Sequence, residues 1–184
     1  MGPLELIERL ADLPLGGYTI GNLGAGKCES AISHQVCDLP CAELINVEVW
    51  GPYVEILQGL TYKAAKVSNV LANIAPWLLL QAPRSIDVIL MIDVLEHLDK
   101  VAGTLVLSNC IRVASRRVLL WLPIGQCAQG PYDHNPYQEH RSTWELDEFK
   151  QLGASNIEYL TAYHRHFNPP VDAAWVTFEV GNET

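Results

Sequence analysis

Residues 86–92, IDVILMI, constrain the fold of this 184-residue chain more than any other stretch. The run is apolar and β-branched, with Asp87 its one polar member. A strand with one wet face alternates apolar and polar residues. A strand that is apolar throughout is covered on both faces, as in a parallel sheet flanked by helices. The sequence DVLEHL (93–98) follows at once, so the strand ends at acidic and imidazole side chains.

The flanking pattern agrees. Residues 4–12 are expected to form a short amphipathic helix, ended by Gly16-Gly17, and YTI (18–20) a short strand. A helix is expected from Cys28 to Val36, a strand at 44–49, and a helix from Pro52 to Lys63, with the proline in its first turn. Further strands are expected at 65–70 and 117–123, and a helix at 99–114 between the latter and IDVILMI. Residues 124–142 read as a long loop. TWELDEFKQLG (143–153) reads as a helix capped by Thr143 and ended by Gly153. Strands at 156–164 and 173–180 complete an antiparallel hairpin through Asn168-Pro169-Pro170. Strands alternating with helices imply one α/β domain over residues 1–184 with a mainly parallel sheet.

GNLGAGKCES (21–30) lies where the first strand ends, and it supports three readings. As Gly-x-x-x-x-Gly-Lys it approaches a P-loop, and VILMID (88–93) resembles the partner strand that ends in a magnesium-binding Asp. The residue after Lys27 is Cys28, however, and a thiol is a poor ligand for a hard cation. As a nicotinamide loop, Gly-x-Gly-x-x-Gly, it puts Glu29 where a third glycine should be. In the third reading, Gly24 and Gly26 let the backbone turn and approach a ligand. An acid ending the next strand then accepts from ribose hydroxyls, and Glu48 stands there.

Composition removes other classes. The net charge of -9 disfavours phosphate backbones, so no nucleic-acid partner is expected. Arg112, Arg116 and Arg117 read as a solvated helix end. No stretch reaches the roughly 18 apolar residues of a membrane span, and residues 1–13 do not read as a signal peptide. The five cysteines form no framework, so they read as reduced thiols of a cytoplasmic protein. Cys28, Cys37 and Cys41 match no zinc spacing, and no metal site is expected.

Four stretches in order resemble the class I S-adenosylmethionine (SAM)-dependent methyltransferases, in particular their small-molecule and glycan-modifying branch. They are NLGAGKC (22–28), EVWGPYVE (48–55), IDVILMIDVLEHLDK (86–100) and the region 122–154. The resemblance implies a Rossmann-like, seven-stranded sheet with SAM at the carboxyl ends of its first strands. It implies that Asn22, Gly24, Ala25, Gly26, Glu48, Val49 and Asp93 bind SAM. Asn22 stands where the family has an acid, Cys28 where it has a third glycine. Only Asn69 and Asn73 are offered where the family's adenine-contacting acid belongs.

Methyl transfer from a sulfonium needs alignment above all, and a base when the acceptor is a hydroxyl. His140 and His134 are the candidates for that base. His97 reads as a brace for the next helix, and His164 and His166 as strand residues without a role. Trp50 and Tyr53 either flank the adenosine or cover the core. The expected activity is methylation of a small-molecule or glycan acceptor, with a hydroxyl preferred over an amine. An open site or a homodimer would accommodate the acceptor. The competing functions are a non-catalytic methyltransferase-like binding domain and a P-loop hydrolase.

Overall fold

The computed structural model describes residues 5–165 and 167–181. Leu4 and His166 lie outside that range. Seven strands form one sheet: β1 (Thr19–Leu23), β2 (Glu43–Glu48), β3 (Lys66–Leu71), β4 (Ile86–Ile92), β5 (Ala114–Ile124), β6 (Asn156–His164) and β7 (Val171–Glu179). Their order is β3-β2-β1-β4-β5-β7-β6. The first five run parallel, and the β6–β7 hairpin adds antiparallel to β5.

The continuous apolar run of β4 has the expected cause. Ile89 and Met91 pack on one face of the sheet, while Val88, Leu90 and Ile92 pack on the other. In β5, Val118, Leu120 and Leu122 alternate with Leu119 and Trp121 in the same way. The first face is covered by helices α2 (Ile74–Leu79), α3 (Lys100–Val113) and α4 (Leu146–Gln151), through Leu78, Val106, Cys110 and Phe149. The second is covered by irregular chain bearing Leu6, Leu10, Ile32 and Val36. Helix α1 (Gly51–Gln58) contributes Leu57 to a small cluster with Ala25, Cys28 and Cys37.

Several boundaries depart from expectation. Residues 7–10 and 15–17 are short 3-10 turns, where a helix over 4–12 was expected. The expected helix from Cys28 to Val36 is replaced by a 3-10 turn at Ser33–Asp38. Cys28 takes φ +52°, and Ser30 and Ser33 bond to each other's backbone and side chain. Such local bonds compete with helical ones. α1 ends at Gln58, five residues short of Lys63. α2 was not expected: Asn73 caps it by accepting from Ala75 N, and Pro76 sits harmlessly in its first turn.

The cap of α4 is Glu145 rather than Thr143. Trp144 must enter the core, where it stacks on Phe149, so the helix starts after it. Glu145 and Glu148 then close a reciprocal capping box. Arg112 and Arg117 are not part of a solvated helix end, and exposed Arg116 lies in β5. Arg112 donates to the carbonyls of Leu78 and Gln81 at the end of α2, and buried Arg117 pairs with Asp12 and Glu179 from a strand.

Candidate functional site

β1, β2, β4 and β5 end along one edge of the sheet, and the turns after them make the site. After β1 the chain turns at Gly24 (φ +64°) and Gly26 (φ +58°), a conformation that side chains resist. Both Gly24 N and Ala25 N donate to the Val47 carbonyl of β2, at 2.8 and 3.1 Å. Glu48 is only 5% exposed and braces the loop. Its Oε2 accepts from Gly26 N and its Oε1 from Trp50 N, both at 2.8 Å. After β4, Asp93 has φ +53°, and its N–H donates to the Trp121 carbonyl of β5. A non-glycine residue held in that region stores strain, a common feature of functional sites.

Two recesses open here. The narrower, of about 90 Å³, is walled by Gly24, Glu48, Val49, Ile74 and Val94, with Tyr137 over it. The wider, of about 590 Å³, lies under the 124–142 loop and is lined by Glu96, Trp121, Cys127, Tyr132, His140 and Tyr163. Asp93, His97 and Gln138 belong to both. The recesses therefore meet at a carboxyl and an imidazole.

Burial raises Asp93 and raises Glu96 strongly, the latter also because Asp93 lies near it. Burial, with His140 beside it, pulls His97 down to about 4. Burial likewise lowers His140. Both imidazoles are thus neutral at pH 7. Each has its Nδ1 on a backbone carbonyl: His97 on Glu139 O at 3.2 Å, His140 on Cys127 O at 2.6 Å. Their rings meet edge-on, 4.8 Å between centroids.

A carboxyl raised by folding stabilises the protein fully below its ordinary value of 4.5, and that contribution is lost as pH rises. Glu96→Gln should therefore be more stable than the parent near pH 7 when both are freed of divalent ions by chelator, with the gap closing toward pH 4. Urea midpoints from pH 4 to 8 measure this; a gap that grows toward acid contradicts it.

The other expected residues separate clearly. Asn22 does not reach either recess: its side chain donates to Asn46 Oδ1 at 2.9 Å inside the sheet. Ala25 is buried in the small cluster with Leu57, and it too lines neither recess. His134 is exposed in a turn with φ +56° and lines neither recess. Its neighbour Asp133 clasps the loop to the site's other wall, pairing with Lys27 at 3.0 Å and accepting from the Tyr53 hydroxyl at 3.1 Å. Tyr53 is buried under that clasp and covers the core. Asn69 is engaged in the sheet, whereas Asn73 caps α2 and also lines the narrow recess.

The P-loop reading fails on geometry. No α-helix follows the glycine loop to hold a phosphate at its N-terminus. Lys27 is taken by Glu29 and Asp133. All five cysteines are buried free thiols, and burial pushes Cys28 up to about 12 and Cys41 up to about 11. Among the described residues, the group that could hold a metal is Glu96, His97 and His140. The spacing Glu-His in DVLEHL was its only sequence signal, and His140 lies 43 residues later.

No protein-family model matches the sequence, and no curated protein matches it. Solved structures do. A putative methyltransferase from Bacillus halodurans C-125 has TM-score 0.68 at 10% identity, covering 98% of this chain and 99% of its own. Magnesium protoporphyrin IX methyltransferase from Synechocystis PCC 6803, solved with bound SAH, has TM-score 0.65 at 16% identity, covering 95% and 80%. A cyclase, SpnF, has TM-score 0.65 at 13% identity, covering 94% and 79%. At these identities the likeness is one of fold. The chain has the Rossmann-like fold of class I methyltransferases, and no helix among the described residues is long and apolar enough to cross a membrane.

Proposed function

We propose that this chain is a SAM-dependent methyltransferase that binds its cofactor in the narrow recess and its acceptor in the wide one. The observation that carries the reading is the junction. Two recesses of different character share Asp93, His97 and Gln138 at the carboxyl edge of the sheet, where this fold offers a ligand site.

The residues present fit such a cofactor. Gly24 exposes bare backbone to the recess, and Ile74, Val94 and Leu98 give apolar walls for a purine. Glu48 uses two of its roughly four lone-pair positions on backbone N–H groups and keeps the rest for ribose hydroxyls. Val49 flanks it. Asp93 offers a carboxylate to the cationic methionine end. The recess is small, so this reading requires its rim at Tyr137 and Gln138 to open for the nucleoside. SAM supplies a methyl group already activated by its sulfonium. The protein holds an acceptor hydroxyl or amine in line with it, which is catalysis by orientation. His140 is neutral, and with Nδ1 committed to Cys127 O, its Nε2 is free to accept the acceptor's proton. A small-molecule or glycan hydroxyl suits a cavity of this size and mixed polarity.

Calorimetric titration with SAM, SAH and Mg-ATP tests the reading. Micromolar binding of SAM and SAH is expected, weakened at least about tenfold in Glu48→Ala, with no Mg-ATP binding. Because the same fold serves a cyclase, fold alone does not assign the reaction. A chain that binds neither SAM nor SAH at millimolar concentration is instead a methyltransferase-like binding domain.

A further inference from the structure

The proposed methyl transfer employs Asp93 and His140. It leaves Glu96 and His97 without a task, although both line the wide cavity. Glu96 is only 2% exposed, and its Oε2 is buried with no hydrogen-bond partner. Buried polar atoms are nearly always paired, and an unpaired carboxylate oxygen is expensive. An oxygen left in this state beside two imidazoles points to a missing cation.

The imidazoles are set up for one. Metal-binding histidines almost always donate their second ring N–H to a carbonyl or carboxylate, which fixes the tautomer and aims the other nitrogen. His97 and His140 both do so, through Glu139 O and Cys127 O. One ligand atom from each of Glu96, His97 and His140 lies within 4.8 Å of the others. Bonds of about 2.0–2.2 Å to an ion place ligands about 3.5 Å apart, so the three must draw in by about 1 Å. Side-chain rotation covers that distance. The two segments that carry the set are already fastened together. Arg141 N and Ser142 N donate to the Glu96 carbonyl at 2.7 and 3.1 Å, and Ser142 Oγ donates to Leu95 O.

We propose that Glu96, His97 and His140 form a three-ligand site for a first-row divalent transition ion whose open positions face the acceptor cavity. Two imidazoles and one carboxylate suit zinc, iron, cobalt or manganese, whereas magnesium and calcium prefer all-oxygen sets. The inference rests on the methyltransferase reading only for its chemistry. There, the ion binds the acceptor hydroxyl and lowers its pKa, which relieves His140 of the role of base. The hydroxyl proton passes to water. The oxygen–methyl bond forms as the methyl–sulfur bond breaks, and the sulfur leaves as a neutral thioether.

The test uses the full chain, stripped with chelator and titrated with Co²⁺ while visible absorption is recorded. One equivalent of Co²⁺ should produce ligand-field bands, Zn²⁺ should abolish them, and millimolar Mg²⁺ should not. Removing one ligand should cost at least what removing an outer-shell partner does, about 10–100-fold in affinity. Glu96→Gln, His97→Ala and His140→Ala should each show that loss, and His34→Ala, an exposed histidine elsewhere, should not. Glu96→Gln removes a buried ionisable group and is expected to fold, so its loss of Co²⁺ cannot be blamed on unfolding; a urea melt checks this. Absence of the bands, or bands indifferent to all three variants, overturns the site. SAM titration of the same samples reports separately on the cofactor reading: SAM binding without Co²⁺ sinks the metal site alone, and Co²⁺ binding without SAM sinks the methyltransferase alone.

Discussion

Gly24→Ala is expected to cost about 2–5 kcal/mol of stability and to abolish measurable SAM binding. Gly26→Ala should cost only about 1–2 kcal/mol. The two positions share a left-handed backbone, φ +64° and +58°, and an alanine pays about 1–2 kcal/mol for it at either. They differ in what surrounds them. A Cβ on Gly26 meets nothing within 4 Å, whereas one on Gly24 would lie 2.8 Å from Val94 Cγ2. Val94 is buried in the turn after β4, so relief of that clash displaces the core or the recess wall, adding about 1–3 kcal/mol. The displaced turn also carries Asp93, shared by both recesses. Urea unfolding and SAM calorimetry on the two variants measure the contrast. Equal stability losses would mean that the loop's conformation, and not its contact with β4's turn, is what matters.

That contact explains what could and could not be read in advance. Strands β4 and β5 were visible because burial on both faces imposes a continuous apolar run, and a run of that kind depends on few distant residues. The hairpin was visible through its prolines. The segment after the glycine loop was misread for a definite reason. Ile32 and Val36 have helical spacing and are indeed buried, but Cys28 turns left-handed, and the Ser30–Ser33 pair satisfies its own backbone. The apolar positions are buried as a helix would bury them, but the chain that carries them is not an α-helix. The candidate site was legible where a residue's position follows from its place on a strand end, as with Gly24 and Asp93. It was illegible where the role depends on a loop. His134 and His140 stand six residues apart in the same loop, and only the loop's path puts one in the cavity and the other in solvent. Likewise, Glu96 and His97 become a ligand set only when His140 arrives from beyond β5.

Asn22 was expected at the cofactor and instead opens the second large effect. Asn22, Asn46 and Asn69 sit side by side across β1, β2 and β3 in register. Asn46 Oδ1 accepts from Asn22 at 2.9 Å, and its Nδ2 donates to Asn69 Oδ1 at 2.8 Å and to the Tyr62 hydroxyl at 3.3 Å. The Tyr62 hydroxyl in turn donates to the Leu57 carbonyl at 2.9 Å. Asn46 is fully buried, so this is a satisfied polar network directly behind the glycine loop. Asn46→Ala should therefore destabilise by about 3–5 kcal/mol. It leaves the Asn22 amide with only Cys28 Sγ at 4.0 Å, deprives Asn69 and Tyr62 of a donor, and opens a small void. Replacing Asn22 and Asn46 together by leucine should recover much of that loss, because an apolar pair of similar shape leaves fewer unpaired groups. A double-mutant cycle in urea measures the coupling. If Asn46→Ala costs under about 1 kcal/mol, or the two sites prove additive, the ladder is not what holds β1 to β2. In that case the glycine loop keeps its shape through Glu48 and the Val47 carbonyl alone.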